Sequence, residues 1–192
     1  MVSRSFDGGR TWIKPDVIDD PPGNLRAGDP ILWRDQDRVI HLTYANHDPS
    51  KTTGDWSYYH QTCLEPSADT MSWSPRTAMD PEFDDFMFNN KPIQSRTGEW
   101  FGPVAIRTGP RQGNPYHEGF YSAGSLVSQD NGSNWKVVSR TPELAASGYG
   151  WPDTRVWEPT AFQKDDGAIA MYVRNSWGII HVTCLLYTSD AA

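Results

Sequence analysis

Short apolar runs separated by turn-forming clusters recur along this chain in a fixed order. A polar residue followed by proline opens three of them: Asp29-Pro30-Ile31-Leu32-Trp33, Lys91-Pro92-Ile93 and Glu158-Pro159-Thr160-Ala161-Phe162. Ile31 to Trp33 is followed by a turn over Arg34 to Arg38 and a second run from Val39 to Tyr44. Thr160 to Gln163 is followed in the same way by a turn over Lys164 to Gly167 and a second run from Ala168 to Val173. Each pair predicts an antiparallel hairpin, strands one and two of a unit. A third strand is expected near Trp56 to Gln61 in the first unit and near Gly119 to Val127 in the next.

An octet turns strand three into strand four. It occurs twice, as Ser5-Phe6-Asp7-Gly8-Gly9-Arg10-Thr11-Trp12 and Ser128-Gln129-Asp130-Asn131-Gly132-Ser133-Asn134-Trp135, both reading Ser-x-Asp-x-Gly-x-x-Trp, the Asp-box pattern. An Asp at a turn accepts hydrogen bonds from the backbone two residues on, Gly supplies positive φ, and the Trp after the turn buries a large apolar body. Ser5, Asp7, Gly9 and Trp12, like Ser128, Asp130, Gly132 and Trp135, are therefore read as structural, and neither Asp as a catalytic acid. Ser67-Ala68-Asp69-Thr70-Met71-Ser72-Trp73 is a degenerate copy, short by the Gly and one residue.

The two patterns keep step. The three Trp stand 61 and 62 residues apart, and the three prolines 62 and 67. Self-similarity at a fixed period means stacked units, and a period near 60 with β composition points to four-stranded antiparallel propeller blades, although common propeller repeats run roughly 40 to 50 residues. Three units use up the chain, and three blades do not close a ring of four to eight. The expectation is thus an all-β chain holding about three blades over residues 1–183, with 184–192 as a tail foreign to the fold.

Nine Trp, eight Tyr and seven Phe suit strands, while 16 Gly and 15 Pro punctuate them. No apolar stretch approaches the roughly 18 residues of a membrane span. A net charge of −7, from 17 basic and 24 acidic residues, gives a nucleic-acid partner little support. An anionic ligand would need locally placed arginines. Cys63 and Cys184 are isolated and the five His lack H-E-x-x-H spacing, so no metal or other cofactor is implied. Asn131-Gly132-Ser133 forms a glycosylation sequon but lies on the Asp-box turn, which is its plainer reading.

In an up-and-down meander, the starts of first strands and the ends of second strands share one rim, and the Asp-box turns lie at the other. Glu158 lies 7 residues before Asp165 and Arg174 lies 7 after Gly167, close to mirror positions across one hairpin. There a carboxylate and a guanidinium either form an ordinary cross-strand ion pair or grip one ligand.

Asp-boxes at this spacing, together with Glu158-Pro159-Thr160, Asp166-Gly167 and Tyr172-Val173-Arg174, resemble the sialidase (neuraminidase) superfamily of BNR-repeat proteins. Asn90-Lys91-Pro92-Ile93 and Gly98-Glu99-Trp100 are similar to a subgroup of bacterial sialidases. The resemblance implies a six-bladed propeller that releases terminal sialic acid, or a related acidic sugar, from a glycan. It would act with an arginine triad, an Asp acid/base and a Tyr nucleophile activated by a Glu, in a secreted or periplasmic protein. Sialidases use Tyr in place of a carboxylate nucleophile. A neutral phenol avoids repulsion by the anionic sugar, and a nearby carboxylate takes its proton.

By the same resemblance, Glu158 matches the activating Glu and Arg174 the second arginine of the triad. Asp29 resembles an Asp-Pro residue facing the same mouth, and Lys91 holds the corresponding place in the next blade, so both are candidate substrate contacts. Arg107, Tyr116, His117 and Glu118 fall on the rim-facing connection between strands two and three. The other family residues are expected outside these positions, since Tyr172 sits mid-strand and Tyr187 in the tail. A non-catalytic carbohydrate- or protein-binding propeller, or a glycosidase for another polysaccharide, would share these features.

Overall fold

A computed structural model describes residues 1–48, 56–63, 65, 71–80, 82–83, 86–108, 120–141, 156–175 and 178–184. Among them every regular element is a strand and every strand pair is antiparallel. The first sheet holds β1 (Arg26–Arg34), β2 (Ile40–His47), β3 (Ser57–Cys63) and β4 (Thr77–Ala78), side by side in sequence order. The second is built on β7 (Trp100–Arg107), β8 (Phe120–Ser128) and β9 (Lys136–Arg140), with the short β5 (Phe86–Met87) and β6 (Ile93–Gln94) both paired to β7. The third runs β10 (Val156–Gln163), β11 (Ile169–Asn175), β12 (Gly178–Cys184).

The hairpins fall where the apolar runs place them, but they are longer. β1 begins at Arg26 and β10 at Val156, several residues before the expected starts, because pairing continues past each proline through a β-bulge. Pro lacks an N–H for the ladder, and a bulge is one place where a strand tolerates it. In the second sheet the interruption is wider: residues 88–92 stand opposite 102–104, which splits the first strand into β5 and β6. β12 runs through Cys184, whose backbone pairs with Ile169, one residue beyond the expected boundary at 183. Residues 185–192 lie outside the described residues, as do Asp69, Tyr116, His117, Glu118 and Tyr187.

Alternation decides what each strand buries. In β1, Ile31 and Trp33 face inward while Leu32 between them is exposed. Trp33, Ala45 and Tyr58 of the first sheet join Phe86, Phe88, Trp100, Leu126 and Trp135 in one core cluster. Met87, Ala105 and Ala123 of the second sheet pack against Val156, Met171 and Val173 of the third. Phe101 and Val127 likewise meet Ile169. Gly124 permits the closest approach, since a Cβ there would lie 2.3 Å from the Ser139 carbonyl and 2.4 Å from Ile106 Cδ1.

A polar thread runs through the contact between the first two sheets. Asp35 Oδ2 lies 3.0 Å from His41 Nε2, and His41 Nδ1 lies 3.0 Å from His60 Nε2. The two imidazoles are 2% and 4% exposed and stack on Trp33, and the Gly132 backbone lies against His60. Burial, then the neighbouring His41, lowers the His60 pKa to about 4.

Candidate functional site

The two Asp-boxes close with nearly the same hydrogen bonds. Asp7 Oδ1 accepts from the Arg10 and Thr11 N–H at 3.0 and 2.9 Å, and Asp130 Oδ1 from the Asn134 N–H at 2.8 Å. The bonds therefore run three and four residues on, not two as expected, because both positions after the Asp are left-handed: Gly8 at φ 75° and Gly9 at 87°, Asn131 at 56° and Gly132 at 84°. Ser5 and Ser128 each donate to their Asp and accept the N–H of Gly9 or Gly132. The Thr11 backbone, and then the Thr11 and Ser5 hydroxyls, hold the Asp7 carboxyl down to about 2. Slight burial opposes the same effect at Asp130, where bonds from Asn134 and Ser128 prevail and lower it. These bonds all come from groups of the turn itself, which suits a structural role.

The tryptophans part company. Trp135 is 1% exposed, packed near Phe88 and His60, whereas Trp12 is 64% exposed. The expected burial of Trp12 does not occur. Its indole still donates to Gly9 O at 3.1 Å, matching the 2.9 Å bond of Trp135 to Gly132 O. The octet thus fixes the turn locally, while burial requires a second sheet over the ring.

The Asp130 turn lies at one end of the second sheet, beside the turns that join β6 to β7 and β10 to β11. Gln129 reaches Glu99 in the β6–β7 turn, and Arg96 of that turn donates to the Asp165 carbonyl in the β10–β11 turn at 2.8 Å. Glu158 lies five residues back along β10 from Gln163, roughly 17 Å away at about 3.3 Å per residue.

At that opposite end, Arg174 Nη1 donates to both carboxylate oxygens of Glu158, each at 3.0 Å. Trp157 is the register partner of Arg174, whose guanidinium lies 5.7 Å from the indole centroid. Both charged side chains are about half exposed, so as a structural ion pair they would contribute roughly 0 to 1 kcal/mol. Asp29 of the first sheet belongs to the same cluster. Its carboxyl is raised above the usual carboxylate range, first by burial and further by the Glu158 charge, against the opposing influence of His47 and of a hydrogen bond from Asn89.

Asn90 completes the arrangement. Its Nδ2 donates to the carbonyls of Pro159 at 2.8 Å and Glu158 at 3.2 Å. The adjacent pair Asn89-Asn90 therefore lies between the acidic bulges of the first and third sheets. Lys91 is exposed on the same 88–92 interruption, but it does not share the left-handed backbone of Asp29 and Glu158. Arg107 ends β7 and is buried. Sequence reasoning missed Asn89 and His47 at this rim, since their roles depend on contacts between sheets; the only local signal was the polar Asn-Asn pair before Lys91-Pro92.

The chemistry available is that of an exposed carboxylate beside a guanidinium, with a second carboxyl that keeps its proton to higher pH. Such a set can bind an anionic ligand and exchange a proton with a hydroxyl. Among the described residues, no group of three or more His, Cys, Asp or Glu is placed to hold a metal. No described helix is long and apolar enough to cross a membrane.

Packed antiparallel sheets together with recurring Asp-box turns define a β-repeat protein. The chain belongs to the BNR repeat-like domain family, whose model matches residues 1–192. It is similar in structure to the Hadza microbial sialidase Hz136, with a TM-score of 0.65 and 17% identity over 95% of this chain and 37% of that one. It is also similar to a protein of unknown function from Dyadobacter fermentans DSM 18053, with a TM-score of 0.64 and 16% identity over 91% of this chain and 50% of that one. The fold is therefore sialidase-like, and the chain spans half or less of the length of those structures. No curated protein matches it.

Proposed function

We propose that this chain supplies three blades of a six-bladed, sialidase-like glycoside hydrolase that releases terminal sialic acid, or a related acidic sugar, with retention. The observation that carries this reading is the Glu158–Arg174 pair, solvent-open and presented by a strained bulge at the end of β10 opposite the side of the Asp130 turn. A pair kept only for stability would gain little at such exposure, while the left-handed backbone at Glu158 costs about 1–3 kcal/mol. Strain of this kind gathers at functional sites.

In this reading Glu158 takes the proton of a tyrosine nucleophile contributed by another blade, and Arg174 turns from Glu158 to the carboxylate of the sugar. Asp29, whose carboxyl is raised first by burial, faces a sugar hydroxyl, and Lys91 supplies a second cation at the mouth. The test is hydrolysis of a chromogenic sialoside by the complete propeller that carries this chain, with the anomer of the first-formed product followed by NMR. Release with retention supports the reading. Failure to cleave any sialoside, with binding retained, favours the non-catalytic module, for which the mutual satisfaction of Glu158 and Arg174 speaks.

A further inference from the structure

We propose that Asn90 is a positioning residue, holding from the second sheet the strained bulge on which Glu158 stands. The inference rests on the reading of Glu158 as the base. A non-glycine residue at φ 47° persists only where its surroundings fix it. Regular pairing breaks between Trp157 and Thr160, leaving Glu158 and Pro159 out of register with β11. Asn90 supplies what the ladder does not: its two amide hydrogens serve the two successive carbonyls of the bulge, at 3.2 and 2.8 Å.

The donor is itself anchored. Residues 88–92 bow out between β5 and β6, but fully buried Phe88 and buried Pro92 tie the two ends of the bow into the sheet. The hydrogen bonds of Asn90 to the bulge go to its main-chain carbonyls, and both Glu158 carboxylate oxygens remain on Arg174. It therefore acts through Glu158 and leaves the substrate to other groups. Without the carboxamide, residue 158 relaxes toward the extended region and its carboxylate swings off the axis it shares with Arg174.

The experiment measures steady-state sialoside hydrolysis and its pH profile in the complete propeller that carries this chain, for Asn90→Ala, Asn90→Gln, Glu158→Gln and the Asn90→Ala/Glu158→Gln double variant. Asn90→Ala is expected to lower kcat about tenfold with KM within about twofold, since a positioning effect on the base acts in the transition state. Its acid limb should also move, and Asn90→Gln, which keeps the donor on a longer stem, should restore part of the rate. On the Glu158→Gln background, Asn90→Ala should cost nothing more, because the residue it positions is already disabled.

Full activity in Asn90→Ala, or losses that multiply in the double variant, would overturn the inference while leaving Glu158 as base. Unchanged turnover in Glu158→Gln would overturn the functional reading and this inference together. Should Asn90→Ala fail to fold, Asn90→Ser, whose hydroxyl cannot span both carbonyls, provides the same comparison.

Discussion

Asp29 and Glu158 occupy the same backbone state in two different sheets. Each precedes a proline, each stands in a bulge where two residues face one on the neighbouring strand, and each is left-handed, at φ 49° and 47°. The residue before proline is ordinarily driven to extended conformations, and left-handed backbone is uncommon outside Gly, Asn and Asp. Its recurrence points to a device of the repeat. The bulge turns an acidic side chain out of the pleat toward the same rim, and the shared electrostatics of Asp29 and Glu158 show that the two devices converge.

Glu158→Gln and Arg174→Ala should separate kinetically in the complete propeller. Removal of a general base costs roughly 10²–10⁴ in rate, so Glu158→Gln should act mainly on kcat. Loss of a charge-assisted contact worth about 1.5–3 kcal/mol should lower kcat/KM by roughly tenfold or more in Arg174→Ala. Steady-state kinetics on a sialoside check both. Unchanged values in the pair would favour a binding module.

Trp135→Ala and Trp12→Ala should differ in stability although both residues close the same octet. Burial of Trp135 between two sheets places its truncation in the range of about 3–5 kcal/mol. Trp12 keeps its indole bond but is mostly exposed, so its loss should stay within about 1 kcal/mol. Urea midpoints of the two variants decide it, and equal shifts would contradict the packing described here.

This contrast marks how far the sequence could be read. Strand order, the period and the box turns were legible because each is local: proline and apolar runs give hairpins, and Ser-x-Asp-x-Gly gives its own hydrogen bonds. The approach of Glu158 to Arg174 was legible too, as a register argument across a single hairpin. What required a second sheet was not legible. Trp12 and Trp135 read alike until only one is covered, and Lys91 precedes a proline like Asp29 yet lies in a wider interruption. The partners of Asn89 and Asn90 come from sheets on either side, and no spacing along the chain announces them. His41 and His60 carried no motif, since their pairing arises from β2–β3 register and the turn that packs on them.

Gly132→Ala should be the more damaging of two matched box substitutions. Gly9 and Gly132 share the same left-handed φ, so both variants incur strain of about 1 kcal/mol from that source. At Gly132 a Cβ would also come within 2.9 Å of His60 Cε1, a buried ring with little freedom to move, whereas at Gly9 the nearest atom is Trp12 Cζ2 at 3.9 Å. Thermal unfolding should show Gly132→Ala well below Gly9→Ala, and coincident curves would show that the His60 ring yields.

The same ring should make stability depend on pH. His60 is neutral in the fold, with its pKa lowered to about 4 first by burial and then by His41, while an unfolded histidine titrates near 6.5. The unfolded chain therefore binds this proton first as the solution is acidified. The contribution is fully present above pH 6.5 and is lost as pH falls from 6.5 to 4, below which no further change comes from this group. Asp35 and His41 on one side and Asp130 near the other face the pair, and the favourable influence of Asp130 is too weak to restore the charged form. His60→Gln removes the titration while keeping a polar group of similar reach. Urea unfolding from pH 7.5 to 4 should show a decline in the parent chain that is shallower in this variant by up to one proton, about 1.4 kcal/mol per pH unit. Identical slopes in the two proteins would mean that His60 has the same pKa in the folded and unfolded chain.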